Sequence, residues 1–113
     1  MKIAVASQNW TTITAHPGKT GRFRVFEAAP GQPPQELERI DLPKERTLHH
    51  VRDDGPHPLY DLDVIIAGSA GSGFVNRLMS RGVTVVTTSE KDPLEAIRRL
   101  FAGTLPPAEP HGH

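Results

Sequence analysis

The sequence predicts an α/β domain: a mixed five-stranded sheet in the order 3-2-1-4-5, strand 2 antiparallel to the rest, with helices over its faces. Three observations lead there. Two hairpin-like connections join the first three strands, which implies antiparallel pairing. A strand–helix–strand unit follows in the second half, which implies parallel pairing with a right-handed crossover. The two most apolar strands, the first and the fourth, belong side by side at the centre.

Lys2 to Ala6 is a short apolar strand, and Ser7-Gln8-Asn9 is its polar exit. Arg22 to Ala28 alternates, so that Phe23 and Val25 share one face and Phe26 takes the other. Pro30-Gly31-Gln32-Pro33-Pro34 turns the chain into a third strand, Gln35 to Leu42, whose Glu36, Glu38 and Arg39 suit a solvent-facing edge. After Pro43, Lys44 to Arg52 reads as a short helix with Leu48 and Val51 as its apolar contacts. Asp53 to Pro58 then separates the two halves. Asp63 to Ala67 is the fourth strand. Ser72 to Arg81 is a helix with Phe74, Val75, Leu78 and Met79 in one stripe and Asn76, Arg77, Ser80 and Arg81 opposite, ended by Gly82. Val83 to Thr88 is the fifth strand. The last helix is the best punctuated: Asp92 is its N-cap, Pro93 its first residue, Glu95 the third position of a capping box, and Gly103 its stop. Leu94, Ile97, Leu100 and Phe101 form its buried stripe. The domain thus covers residues 1–105, and Pro106 to His113 is a flexible tail.

Composition narrows the function. Of 113 residues, 13 are Lys or Arg and 13 are Asp or Glu, so the chain is formally neutral. That balance argues against nucleic acid or an anionic membrane as partner. The absence of cysteine excludes disulfides, thiolate-bound zinc, thiol catalysis and a fully cysteine-anchored iron–sulfur cluster. MKIAVAS lacks the apolar stretch of a signal peptide, and runs such as Val64 to Ala67 are far too short to span a bilayer. The expectation is a small, soluble, cytoplasmic protein.

Strands 1 and 4 are neighbours whose connections leave in opposite directions, so a crevice is expected at their carboxyl ends. Three segments meet there: Ser7 to Gly21, Pro43 onward, and Gly68 to Gly73. In the last, Gly68, Ser69, Gly71, Ser72 and Gly73 let a ligand approach the backbone at a helix start, where free N–H groups receive an anion. The spacing matches neither the dinucleotide fingerprint nor a Walker loop, and a tight turn explains it equally well. His16 and Lys19 bring a metal-ligating imidazole and a counter-charge to the same rim. His49, His50 and His57 enrich the middle connection in imidazole. A folded-over loop brings His57 to the crevice; a straight crossover leaves it ~20 Å away at ~3.3 Å per residue. Ribonuclease H-like nucleases share this strand order, but their two-metal chemistry needs clustered carboxylates, and none occurs between Met1 and Glu27. No Gly-x-Ser-x-Gly surrounds Ser69 or Ser72 either. The residues thus support neither a two-metal nuclease nor a serine triad.

MKIAVAS, TITAHPGKTGRFRVFEA, LDVIIAGSAGSGFVNRLMSRGVTVVTT and DPLEAIRRLFAGTL, in that order, resemble the dinitrogenase iron–molybdenum cofactor biosynthesis (nitrogenase accessory) family over roughly residues 1 to 105. The resemblance implies a ribonuclease H-like fold that carries or inserts iron–sulfur or molybdenum-containing clusters, in nitrogen fixation and cofactor biosynthesis, between donor and acceptor proteins. His16 and Gly18 match the family's His-x-Gly, and Gly68, Gly71 and Gly73 its glycine loop. Pro17 stands where Phe is frequent, and Leu62 where some members carry Cys. Without a thiolate, a cluster is held transiently by imidazole (His16, with His49, His50 or His57), backbone N–H groups and charge. The alternative on the same fold is a non-metal anion-binding or protein-interaction module.

Overall fold

The computed structural model describes residues 1–17, 19–48 and 55–108. Its centre is one sheet of β1 (Lys2–Ala6), β2 (Arg22–Glu27), β3 (Gln35–Asp41), β4 (Val64–Ala67) and β5 (Thr84–Thr87), ordered β3-β2-β1-β4-β5. β2 is antiparallel to β1 and β3, while β4 is parallel to β1 and β5. The expected α/β architecture, strand order and directions are the observed ones.

Two α-helices lie among the described residues: α1 (Ser72–Met79), which joins β4 to β5, and α2 (Pro93–Ala102), which follows β5. Strand alternation divides the interior between the faces. Phe23, Val25 and Ile65 pack with Leu78 of α1 on one side, and Phe26 and Ile66 with Ile97 of α2 on the other. Burying each such side chain contributes about 1.5–3 kcal/mol. β1 from Ile3 on and all of β4 are buried, as central strands require. The edge strand β3 is exposed at every residue except half-buried Ile40. There Arg24 donates from Nε and Nη2 to Glu36 at 3.0 and 3.2 Å, and Arg39 adds a bond at 3.2 Å. The Arg24 bonds, with Arg39 assisting, hold the Glu36 carboxyl below the ordinary carboxylate range.

Several elements depart from expectation. The helix expected from Lys44 is one 3-10 turn, Lys44–Arg46. It ends because Thr47 is extended and its hydroxyl donates to the Lys44 carbonyl, competing with a continued helix. Leu48 is buried as expected; Val51 lies outside the described residues. A second 3-10 turn, Pro58–Asp61, was not expected, because its cap is the unusual His57. Met79 is 63% and Leu94 46% exposed, so neither joins its apolar stripe; Ala96 takes the buried place on α2. Asp92 does cap α2, accepting the N–H groups of Leu94 and Glu95. The reciprocal half of the capping box is absent: Glu90 takes the Asp92 N–H, and Glu95 pairs with Arg98. Past α2, the carbonyls of Pro106 and Pro107 accept from Thr88 Oγ1 and the Ser89 N–H. Residues 109–113, the rest of the expected tail, lie outside the described residues. No helix among the described residues is long and apolar enough to cross a membrane.

Candidate functional site

The β1–β2 connection folds back over the carboxyl ends of the central strands. Asn9 Oδ1 accepts the N–H groups of Thr11 and Thr12, and Trp10, at φ 66°, makes the reversal. The Trp10 ring then lies under the guanidinium groups of Arg22 and Arg39, 5.4 and 5.2 Å from its centroid. Beyond it, Thr14 donates its N–H to the Ala6 carbonyl (2.8 Å) and accepts the Gly68 N–H (3.0 Å). Thr14 therefore bridges the ends of β1 and β4. The notch where the two strands diverge is filled by the chain itself, and the open crevice lies beside it, against α1.

That crevice has a volume of about 450 Å³ and is lined by His16, Lys19, Leu48, Gly71, Gly73, Phe74 and Arg77. All three segments expected to converge do so. His16 sits at φ 56°, a left-handed conformation in which histidine is over-represented among non-glycine residues. Its carbonyl accepts the N–H groups of Lys19 and Thr20 at 3.0 and 2.9 Å, closing a tight turn around buried Pro17. The imidazole stays exposed.

Gly71 and Gly73 have no structural reason to be glycine. A β-carbon on either meets nothing among the described residues within 4 Å, and neither has positive φ. Gly73, in the first turn of α1, costs about 1 kcal/mol relative to Ala in a helix interior. The missing side chains instead open the backbone to the crevice. Gly68 differs, since a β-carbon there would lie 3.5 Å from the Thr14 backbone. Gly71 is the N-cap of α1 without a capping side chain, and the first helical bond is Val75 N–H to Gly71. The N–H groups of Ser72, Gly73 and Phe74 precede it, at the positive end of the helix dipole. The buried Ser69 Oγ has no partner among the described residues.

Lys19 and Arg77 supply positive charge to the lining, and among the described residues no carboxylate lines it. Arg77 is tied down: Nε donates to Tyr60 Oη at 2.9 Å, and Nη1 to the Leu48 carbonyl at 3.2 Å. Sequence reasoning set Arg77 aside as a solvent-facing helix residue. The signal was present, since Arg77 is four residues after Gly73 and shares its side of the helix. Leu48 and Phe74, expected only as core, also form walls.

The other site residues fall differently. Ser69, in the loop, and Ser72, the first residue of α1, do not line the crevice. Gly18, His49 and His50 lie outside the described residues. His57 is not brought to the crevice. It is 3% exposed and lines a separate cavity with Lys2 and Tyr60, as a straight crossover requires. Its Nδ1 accepts the Leu59 N–H at 3.1 Å and its Nε2 meets the Arg46 carbonyl at 2.7 Å, so both nitrogens that would ligate a metal hold the chain instead. Burial pushes the His57 pKa below its ordinary value, and the positive charges of Arg46 and Arg77 act the same way. Among the described residues no three His, Cys, Asp or Glu side chains gather as a metal site.

A family model described as dinitrogenase iron–molybdenum cofactor matches residues 1–103. No curated protein sequence matches the chain. Two similar crystal structures share its fold. One is that of PH0822, at a TM-score of 0.70 and 14% identity, covering 93% of both chains. The other, from Methanocaldococcus jannaschii, is provisionally described as a dinitrogenase; its TM-score is 0.64 at 11% identity, over 93% of this chain and 91% of that one.

Proposed function

The chain belongs to the dinitrogenase iron–molybdenum cofactor family, and from that premise we propose that it is a carrier, holding an iron–molybdenum or related metal–sulfide cluster as cargo between donor and acceptor proteins. Membership connects it with the making or handling of that cofactor. The carrying itself is our reading. It assigns the chain no turnover of a substrate.

The observation that carries the reading is the pair Gly71 and Gly73, whose missing β-carbons leave room that the fold does not need. A metal–sulfide cluster is bulky and anionic. It fits a crevice of this size with backbone N–H groups on one wall and Lys19 and Arg77 on others. His16, exposed at the rim, is the side chain that would bind a metal of the cluster directly. The one imidazole that lines the crevice among the described residues, with charge and N–H groups, makes a weak, exchangeable grip, which suits delivery better than storage.

The test is the molybdenum and iron retained per chain after anaerobic loading with extracted iron–molybdenum cofactor, in wild type and His16→Ala, both lacking His111 to His113. Stoichiometric loading that His16→Ala removes supports the carrier. Retention by neither protein overturns it, and leaves a non-metal anion or a protein as the ligand of the crevice.

A further inference from the structure

We infer that Tyr60 is a positioning residue of the crevice, acting through Arg77 although it does not line the crevice itself. The inference rests on the carrier reading above. Arg77 projects from α1 on a long, flexible side chain, and a guanidinium free to sample many rotamers loses much of its value as an anion contact when it must be ordered on binding. Here that ordering is done in advance. The Tyr60 hydroxyl accepts the Nε–H at 2.9 Å, and the Leu48 carbonyl accepts from Nη1 at 3.2 Å. The acceptors stand on different segments, so together they fix both the position and the plane of the fork.

Tyr60 can do this because it is itself held. It belongs to the turn Pro58–Asp61, and its N–H donates to the His57 carbonyl at 3.0 Å. Its ring leans on buried His57, 5.5 Å between centroids, and the Arg81 guanidinium lies 4.6 Å from the ring centre. These ring contacts do not need the hydroxyl. The hydroxyl joins the Pro58–Asp61 turn to Arg77 and hence to the crevice, so Tyr60→Phe removes the positioning contact while leaving the packing in place.

The experiment measures retention of extracted iron–molybdenum cofactor, as molybdenum bound against free concentration, for wild type, Tyr60→Phe, Arg77→Gln and the double variant. Unchanged melting of cargo-free Tyr60→Phe shows that the packing survives. Tyr60→Phe is expected to weaken retention about tenfold at low salt, the scale of one charge-assisted contact losing its geometry. The difference from wild type should shrink as salt rises, because it is electrostatic. In the Arg77→Gln background, Tyr60→Phe should change nothing. Wild-type affinity in Tyr60→Phe overturns the inference and leaves the carrier intact. So does an equal loss in the Arg77→Gln background, which would make Tyr60 a wall support independent of Arg77. No retention by the wild type overturns both.

Discussion

His57 holds its Nε2 2.7 Å from the carbonyl oxygen of Arg46, fastening the connection after β3 to the turn that leads into β4. Because Nδ1 at the same time accepts the Leu59 N–H, the bonded ring is neutral, with its proton on Nε2. Protonating Nδ1 would set two donors against each other beside Arg46 and Arg77.

Stability should therefore fall on acidification. The folded His57 pKa lies below the unfolded value of about 6.5, so between the two the unfolded chain binds more protons. The contribution of His57 is whole above pH 6.5, declines below it, and is gone once pH passes the folded value. Urea unfolding at pH 7.5 and 5.5 measures this. His57→Phe should flatten the pH dependence and cost about 1–3 kcal/mol at pH 7.5, because the buried Leu59 N–H and the part-buried Arg46 carbonyl lose their partner.

Gly73 should separate stability from function. Gly73→Ala places a methyl in open space within α1, and is expected to raise stability by about 0.5–1 kcal/mol. Gly73→Leu fills the mouth of the crevice, and is expected to abolish cofactor retention with no loss of melting temperature. Thermal melts beside molybdenum analysis of both variants decide it.

Gly21 should behave in the opposite way. A β-carbon there would lie 2.4 Å from the Leu42 carbonyl oxygen, a backbone atom just past the end of β3. Gly21→Ala should cost about 2–4 kcal/mol or block folding, read as a drop in urea midpoint. The β2–β3 pairing would open first, because Leu42 N–H donates to Gly21 across the same gap.

At the start of α2, Glu90 should matter more than Glu95. The Glu90 carboxylate accepts the N–H groups of Asp92 and Lys91 and pairs with Arg99, and the bond from Asp92 is the largest cause holding its carboxyl below the ordinary range. Glu95 makes an exposed pair with Arg98. Glu90→Ala should lower the urea midpoint more than Glu95→Ala does, compared by chemical unfolding.

These residues also show where sequence reasoning succeeds. Burial on both faces left a readable mark on β1 and β4, and with the two hairpins it was enough for the strand order. Asp92 and Pro93 marked the start of α2 because capping is local chemistry. Partner choice among long side chains is not local. A capping-box glutamate at position 95 was the expected reading, yet Arg98 one turn along claims it while Glu90 reaches forward. Likewise His16, Lys19, Gly71 and Gly73 were legible as a loop rim from topology. That Thr14 would plug the notch, and that Tyr60 would turn Arg77 inward, depends on packing between distant segments.

The crevice takes its walls from three separate connections: His16 and Lys19 after β1, Leu48 after β3, and Gly71 to Arg77 after β4. None of these segments holds the site alone, so an unfolded chain has nothing with which to keep cargo. Cargo bound only by the folded chain adds about 2.7 kcal/mol of protection at a free concentration one hundred times its Kd. Loaded and empty chains should then differ in lifetime under a protease that attacks the opened state, with the empty ones cleared first. On the carrier proposal, the architecture would make the abundance of the protein follow the supply of its cargo.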